Sequence, residues 1–268
     1  MVEIIAKTII TTSKLPEVDF CFNPYIGCTH ACAYCYARFM GRFTGHAGEQ
    51  WGRYLDWKIN APYLLRKELP KIKKKGGTVI MGSVTDCYQP AEKNLKITRK
   101  SLKEFLKHQV DISILTKNKL AERDFDLLSQ FDKCEFGVSL SILDSEIQKI
   151  LEPGASTPDE RIALLKKAKE MGIQTYVFIG PIHPFLSDVE EVLNRVLPYV
   201  DFVMAEVPNL RCGNWESLKE AFNKLGKNID HKEYKRIASS KEFYQENKKM
   251  ITKMCQKNNV EFNGIFEH

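Results

Sequence analysis

Six short apolar runs, separated by stretches with helical spacing, constrain this chain more than any other feature. Runs of strand character occupy residues 19–23, 78–83, 111–116, 135–140, 174–179 and 201–207. Between them, apolar residues recur at helical intervals over residues 59–72, 98–107, 121–129, 158–171 and 188–199. Strands that alternate with helices form βαβ units, and these build a parallel sheet through right-handed crossovers. The expectation is an α/β fold, a partial (β/α)6 TIM-like barrel in preference to a flat doubly wound sheet. Local signals agree: Thr157 is placed to N-cap a helix opening at Pro158, Asp159 and Glu160 complement its positive end, and Gly172 ends it.

After Val207 the alternation fades. A segment containing Trp215, a helix over residues 232–258 and a strand-like piece at 260–265 follow. The expected organisation is therefore a barrel over residues 1–209 and an appended helical cap over 210–268.

Composition narrows the class. With 268 residues and 43% hydrophobic content, the chain should bury a substantial core. No apolar run approaches bilayer length, and MVEIIAKTIITTSK has no signal-peptide core. The expectation is a soluble, cytoplasmic protein with no membrane partner. A net charge of +6 permits an anionic substrate such as nucleic acid without demanding one. The basic stretches at 66–75 and 219–257 read as solvated helix faces.

In parallel α/β architectures, chemistry gathers at the carboxyl ends of the strands. Here the first strand is followed by YIGCTHACAYCYAR, the second by Ser83-Val84-Thr85-Asp86, and the third by Lys117, while Ser139-Leu140-Ser141 closes the fourth. Four polar stretches far apart in sequence should then face one cavity.

Of eight cysteines, five are scattered and three, Cys28, Cys32 and Cys35, are bunched as C-x3-C-x2-C. So long a chain needs no disulfide staples, so the bunch reads as a metal or redox site. Zinc would require a fourth ligand, for which Cys21 and His30 are nearest. Cys21 alternates with Asp19 and Asn23 in a strand, a pattern that packs it in the wall. A four-iron cluster held by three thiolates would instead leave one iron open, as catalytic metal sites do.

Cys28-x3-Cys32-x2-Cys35, with Tyr34 before the third cysteine, resembles the signature of the radical S-adenosylmethionine (SAM) superfamily. The chain is more specifically similar to that superfamily's spore photoproduct lyase-like branch. The likeness rests on Ser83-Val84-Thr85-Asp86-Cys87-Tyr88-Gln89-Pro90-Ala91-Glu92, Thr116-Lys117, Ser139-Leu140-Ser141, Glu152-Pro153-Gly154 and Asp159-Glu160-Arg161, and spans roughly residues 20–206.

The resemblance implies a [4Fe-4S] cluster on the three cysteines and SAM on the open iron. An electron donor such as flavodoxin or ferredoxin would then drive SAM cleavage and abstraction of a hydrogen atom from substrate. It further implies cofactor-binding roles for Tyr34, Ser83, Thr85, Asp86, Lys117, Ser139 and Ser141, with Lys117 opposite the SAM carboxylate and Tyr34 near adenine. In the lyase a cysteine just before the Thr/Ser-Asp block returns the hydrogen atom. Ser83 stands there in this chain, and its O–H bond is too strong for the task. Cys87 or Tyr88, in the same loop, are the residues expected to take that catalytic part.

Glu92 with Arg99, and Glu152 with Arg161, read as locally paired structural charges, and His183, between two prolines, as a loop-shaping residue. The leading functional expectation is a radical SAM enzyme that acts on a nucleic-acid base or nucleotide. Radical modification of a small metabolite or peptide is the alternative, and a non-enzymatic zinc or iron–sulfur module is a third reading.

Overall fold

The computed structural model describes residues 2–15 and 18–267. Its main sheet contains seven parallel strands in chain order: β1 Phe20–Phe22, β2 Val79–Met81, β3 Ile112–Thr116, β4 Cys134–Ser139, β5 Gln174–Ile179, β6 Phe202–Glu206 and β7 Glu261–Phe266. An antiparallel strand, Ile10–Thr12, borders β1. Among the described residues the two sheet edges do not pair, which makes this an open, partial barrel. All six runs expected from the sequence are strands. The strand-like piece in the tail is a seventh, pairing in parallel with β6 from Phe202↔Glu261 to Glu206↔Phe266.

The period of two along each strand sorts the side chains into two sets. Ile112, Ile114, Phe136, Val138, Val177 and Ile179 are fully buried in the core cluster. That core also takes in α1 (Ala61–Lys75), α2 (Ile97–His108), α5 (Pro158–Glu170) and α6 (Val189–Val196), through residues such as Leu65, Phe105, Leu165 and Leu193. Two short helices, α3 (Phe125–Leu128) and α4 (Ser145–Leu151), complete the crossovers before α5.

The alternate set fills the barrel interior. Tyr176 stacks on Phe202 with ring centres 4.8 Å apart, and its hydroxyl donates to the Ile114 carbonyl at 3.1 Å. Gly137 leaves room for that ring, since a Cβ there would stand 2.3 Å from Tyr176 Cζ. One step nearer the carboxyl ends, the same parity aims Leu115, Ser139 and Phe178 into the cavity described below.

The helix start read at Thr157 is a full capping box: the Glu160 amide donates to Thr157 Oγ1 at 3.3 Å, and the Thr157 amide to Glu160 Oε2 at 3.0 Å. The helix expected over 232–258 is two, α8 (His231–Ala238) and α9 (Lys241–Lys257). They are broken where Ser240 accepts from the Phe243 amide at 3.1 Å and starts a new helix. Before them, α7 (Trp215–Lys224) packs against α4, while α9 packs on α6 and β7. No described helix is long and apolar enough to cross a membrane.

Candidate active site

The three bunched cysteines lie in a loop that follows a short strand, Tyr25–Ile26. Gly27 turns the chain at φ +83, where a Cβ would stand 2.4 Å from the Tyr54 carbonyl. Ala31 takes the left-handed conformation, φ 55. Hydrogen bonds from distant segments hold this shape. Thr85 Oγ1 donates to the Gly27 carbonyl at 2.6 Å, the Gln89 amide donates to Thr85 Oγ1 at 3.0 Å, and the Thr29 amide donates to Gln89 Oε1 at 2.9 Å. From the other side, Ala33 donates to Leu151 at 2.8 Å and Gly154 to the His30 carbonyl at 3.0 Å. Gly154 can come so close only without a side chain, because a Cβ would meet the Thr29 carbonyl at 2.4 Å.

Side chains then alternate along the loop. Cys28, His30, Cys32, Tyr34 and Cys35 line a cavity of about 860 Å³, partly open to solvent, at the carboxyl ends of the strands. Across it stand Ser83, Thr85 and Asp86 after β2, Lys117 after β3, and Ser139 at the end of β4.

Asp86 ties this wall together. Its carboxylate accepts from Thr116 Oγ1 at 2.8 Å, the Lys117 amide at 2.9 Å and the Tyr88 amide at 2.7 Å, and it pairs with His30 Nδ1 at 3.4 Å. His30 Nε2 meets Asn118 at 3.2 Å, and burial holds the imidazole below its ordinary pKa. Lys117 is half-buried, forms no ion pair among the described residues, and holds its Nζ 5.7 Å from the centre of the Tyr34 ring. An ammonium left so at a cavity wall is ready for an anionic ligand.

Behind Tyr34 lies a buried chain of polar groups. The Tyr34 hydroxyl donates to Glu152, and Arg161 donates to the other Glu152 oxygen. Arg161 also donates to the Ser139 and Ser156 carbonyls, each at 2.9 Å. Burial alone would raise the Glu152 carboxyl, but Arg161, Lys117 and the Tyr34 hydrogen bond outweigh it and hold it below its usual range. This pair is as the sequence implied. Glu92 is not: its side-chain ion partner is Arg123, at 2.6 Å, while Arg99 turns its guanidinium to Asp124 and Asp126. His183 is fully enclosed, its Nδ1 sharing a 2.5 Å hydrogen bond with the Tyr234 hydroxyl, and burial lowers its pKa to about 4.

The donor set decides which groups this cavity can hold. Burial raises all three cavity thiols, Cys32 to about 12 and Cys35 to about 11, so thiolates here need a bound cation. Neither fourth zinc ligand is available: both His30 nitrogens are engaged, and Cys21 is buried in β1 away from the cavity wall. Among the described residues, no three His, Cys, Asp or Glu side chains gather as a single-ion site does. A four-iron cluster, which takes each thiolate on a separate iron, fits three thiols spread around a cavity mouth.

Nine of the residues singled out in the sequence thus share one cavity: Cys28, Cys32, Cys35, Tyr34, Ser83, Thr85, Asp86, Lys117 and Ser139. Three do not. Cys87 and Tyr88 are buried in the main core, with the Cys87 sulfur behind Gly82, and Ser141 is buried with its hydroxyl unpartnered among the described residues. After Asp86 the backbone turns inward, which carries residues 87 and 88 beneath the wall. The hydroxyls differ too. Thr85 is committed to Gly27 and Ser139 donates to the Gly180 carbonyl at 3.1 Å, whereas Ser83 accepts from Asn23 at 3.0 Å and donates to none of the described residues.

Sequence reasoning missed Tyr36, Trp51, Phe178, Glu206 and Asn209, which also line the cavity. Phe178 and Glu206 were accessible to the strand-end rule; Trp51 and Asn209 lie in loops without periodic signal.

Comparison with known proteins agrees with this geometry. The chain is 38% identical over 211 residues to an uncharacterized protein of Methanocaldococcus jannaschii, covering 79% of this chain and 78% of that one. Its fold is similar to that of a spore photoproduct lyase variant with bound AdoMet and dinucleoside spore photoproduct, with a TM-score of 0.70, 14% identity, and coverage of 98% of this chain and 80% of that one. It is also similar to Streptococcus suis SuiB bound to precursor peptide SuiA, with a TM-score of 0.54, 13% identity, and coverage of 100% and 48%. At such identities the likeness shows the fold alone. The family model described as the radical SAM superfamily matches residues 22–196, and the chain belongs to that superfamily.

Proposed function

We propose that this radical SAM enzyme abstracts a hydrogen atom from a nucleobase-bearing substrate presented at the cavity mouth. Its cofactors are a [4Fe-4S] cluster and SAM. When bound, they supply reductive cleavage of the sulfonium and a 5'-deoxyadenosyl radical as hydrogen acceptor. The observation that carries this reading is the half-buried ammonium of Lys117, with no ion pair among the described residues, on one cavity with three thiols.

Cys28, Cys32 and Cys35 would hold three irons, and Lys117 the SAM carboxylate. Ser83, whose hydroxyl donates to no described residue, would be available to a ligand acceptor, while Thr85, Asp86 and Ser139 support the wall. Tyr34, fixed at its hydroxyl by Glu152 and at its carbonyl by Asn214 at 2.7 Å, offers its ring to the adenine side. All eight cysteines are free thiols, a state that suits the reducing cytoplasm in which we place the enzyme.

The substrate class rests on the short helix Tyr36–Phe43 that leaves the cluster loop. Tyr36 on the cavity wall, Phe39 and Phe43 are 36%, 38% and 76% exposed, and the exposed Arg42 lies between the last two. Phe39 and Phe43 meet edge to face with ring centres 6.3 Å apart, and exposed aromatic rings beside a cation offer surfaces on which bases stack.

Anaerobic reconstitution should give iron and sulfide uptake and reductive formation of 5'-deoxyadenosine. Oligonucleotide affinity should fall as salt rises, and a Phe39→Ala/Phe43→Ala variant should lose about 1–3 kcal/mol per stacked base with its cluster intact. Binding that ignores both salt and these substitutions, beside activity on a neutral metabolite or peptide, would transfer the proposal to that class.

A further inference from the structure

The cysteine loop has a second face. While Cys28, His30, Cys32 and Tyr34 line the active-site cavity, the intervening Thr29, Ala31 and Ala33 line a separate cleft of about 1030 Å³, and Trp51 borders both. The loop is one strip of chain with a cavity on either side. The outer cleft therefore lies at the back of the loop that carries the three cysteines.

Three cations line this cleft, Arg38, Arg53 and Lys224, against one carboxylate, Glu220. Arg38 is half-buried against the loop, donating to the Cys35 carbonyl at 3.3 Å and to Ala33 at 3.2 Å, so its charge is fixed in place. Arg53 and Lys224 are exposed and form no ion pair among the described residues. Unpaired like charge around a concave surface raises the local potential and attracts an anionic partner.

The geometry points to this outer cleft as the docking surface for an acidic, low-potential electron-transfer protein. The inference rests on the cluster assigned above. One electron leaves the donor, oxidising it by one, and enters the cluster, reducing it by one; no bond or proton moves at this surface. Electron transfer weakens steeply with distance, so a donor gains by seating against the loop that carries the three cysteines. A phosphate-bearing substrate meets the same charges, but from this side the loop itself separates it from the cavity.

The test uses reconstituted wild type, Arg53→Glu/Lys224→Glu and Glu220→Lys, with flavodoxin as probe. Binding of oxidised flavodoxin is titrated calorimetrically at several salt concentrations. SAM cleavage is then timed with reduced flavodoxin and, separately, with dithionite. The charge-reversed variant should bind flavodoxin at least about 10-fold more weakly, with a shallower salt dependence, and Glu220→Lys should bind it more tightly. Flavodoxin-driven cleavage should follow affinity, while dithionite-driven cleavage stays at the wild-type rate. Unchanged flavodoxin binding in both variants overturns the inference, as does a loss of oligonucleotide binding with flavodoxin binding intact. Binding is read before turnover, so a protein that loads its cluster yet never cleaves SAM with dithionite sinks the cofactor reading and leaves the docking result standing.

Discussion

Cys32→Ala is expected to give a folded protein that retains no stable four-iron cluster and forms no 5'-deoxyadenosine. The substitution trims one small side chain that is already buried, a change worth about 1 kcal/mol of stability. Its effect on iron should far exceed the roughly 10–100-fold that loss of a supporting partner costs a metal site. Iron and sulfide content, the visible absorption of the reconstituted protein and the thermal melt separate the two effects. A variant that loads iron like wild type and cleaves SAM would remove the cluster from these cysteines. Cys21→Ala, in the barrel wall, is the matched control and should load normally.

Arg161→Met should produce the largest loss of stability of any single change near the site, about 3–5 kcal/mol at neutral pH. Arg161 is 1% exposed and Glu152 equally enclosed, so removing the guanidinium leaves a buried carboxylate with the Tyr34 hydroxyl as its remaining side-chain partner. The pH dependence carries the diagnosis. In wild type the folded carboxyl of Glu152 is held below its unfolded value, so its contribution is present above the unfolded pKa and lost as pH falls through the folded one. Without Arg161, burial raises the folded value above the unfolded one, and the sign reverses. The gap between wild type and variant should therefore narrow as pH falls from 7 toward about 4. Urea melts at three pH values measure it, and Glu152→Gln in the Arg161→Met background should recover part of the loss. A gap that stays constant with pH would show that the guanidinium matters through packing alone.

The fold was largely legible because period and alternation are properties of the chain itself. All six expected strands form, and the polar stretches after β1 to β4 share one cavity, as strand parity requires. What stayed hidden was set by pairing in space. Nothing local tells that the Glu92 carboxylate pairs with the guanidinium of Arg123, thirty-one positions away, and takes from Arg99 only the backbone amide. Nor does spacing reveal that the Thr85 hydroxyl is already engaged by Gly27 while the Lys117 ammonium is not. Cys87 and Tyr88 follow Asp86 directly, yet one turn of backbone separates the cavity from the core. Charge at the back of the cysteine loop was likewise invisible, since Arg38, Arg53 and Lys224 converge only once α7 packs beside that loop.

The pairing of β6 with β7 has a consequence in time as well as in space. Glu206, on the cavity wall, sits on a strand whose outer neighbour is synthesised last of all the described sheet, at Glu261–Phe266. During translation β6 remains an open edge, a template for pairing with other chains, until residues 261–266 leave the ribosome. Chains stopped before residue 261 leave that edge of β6 unpaired and should accordingly aggregate.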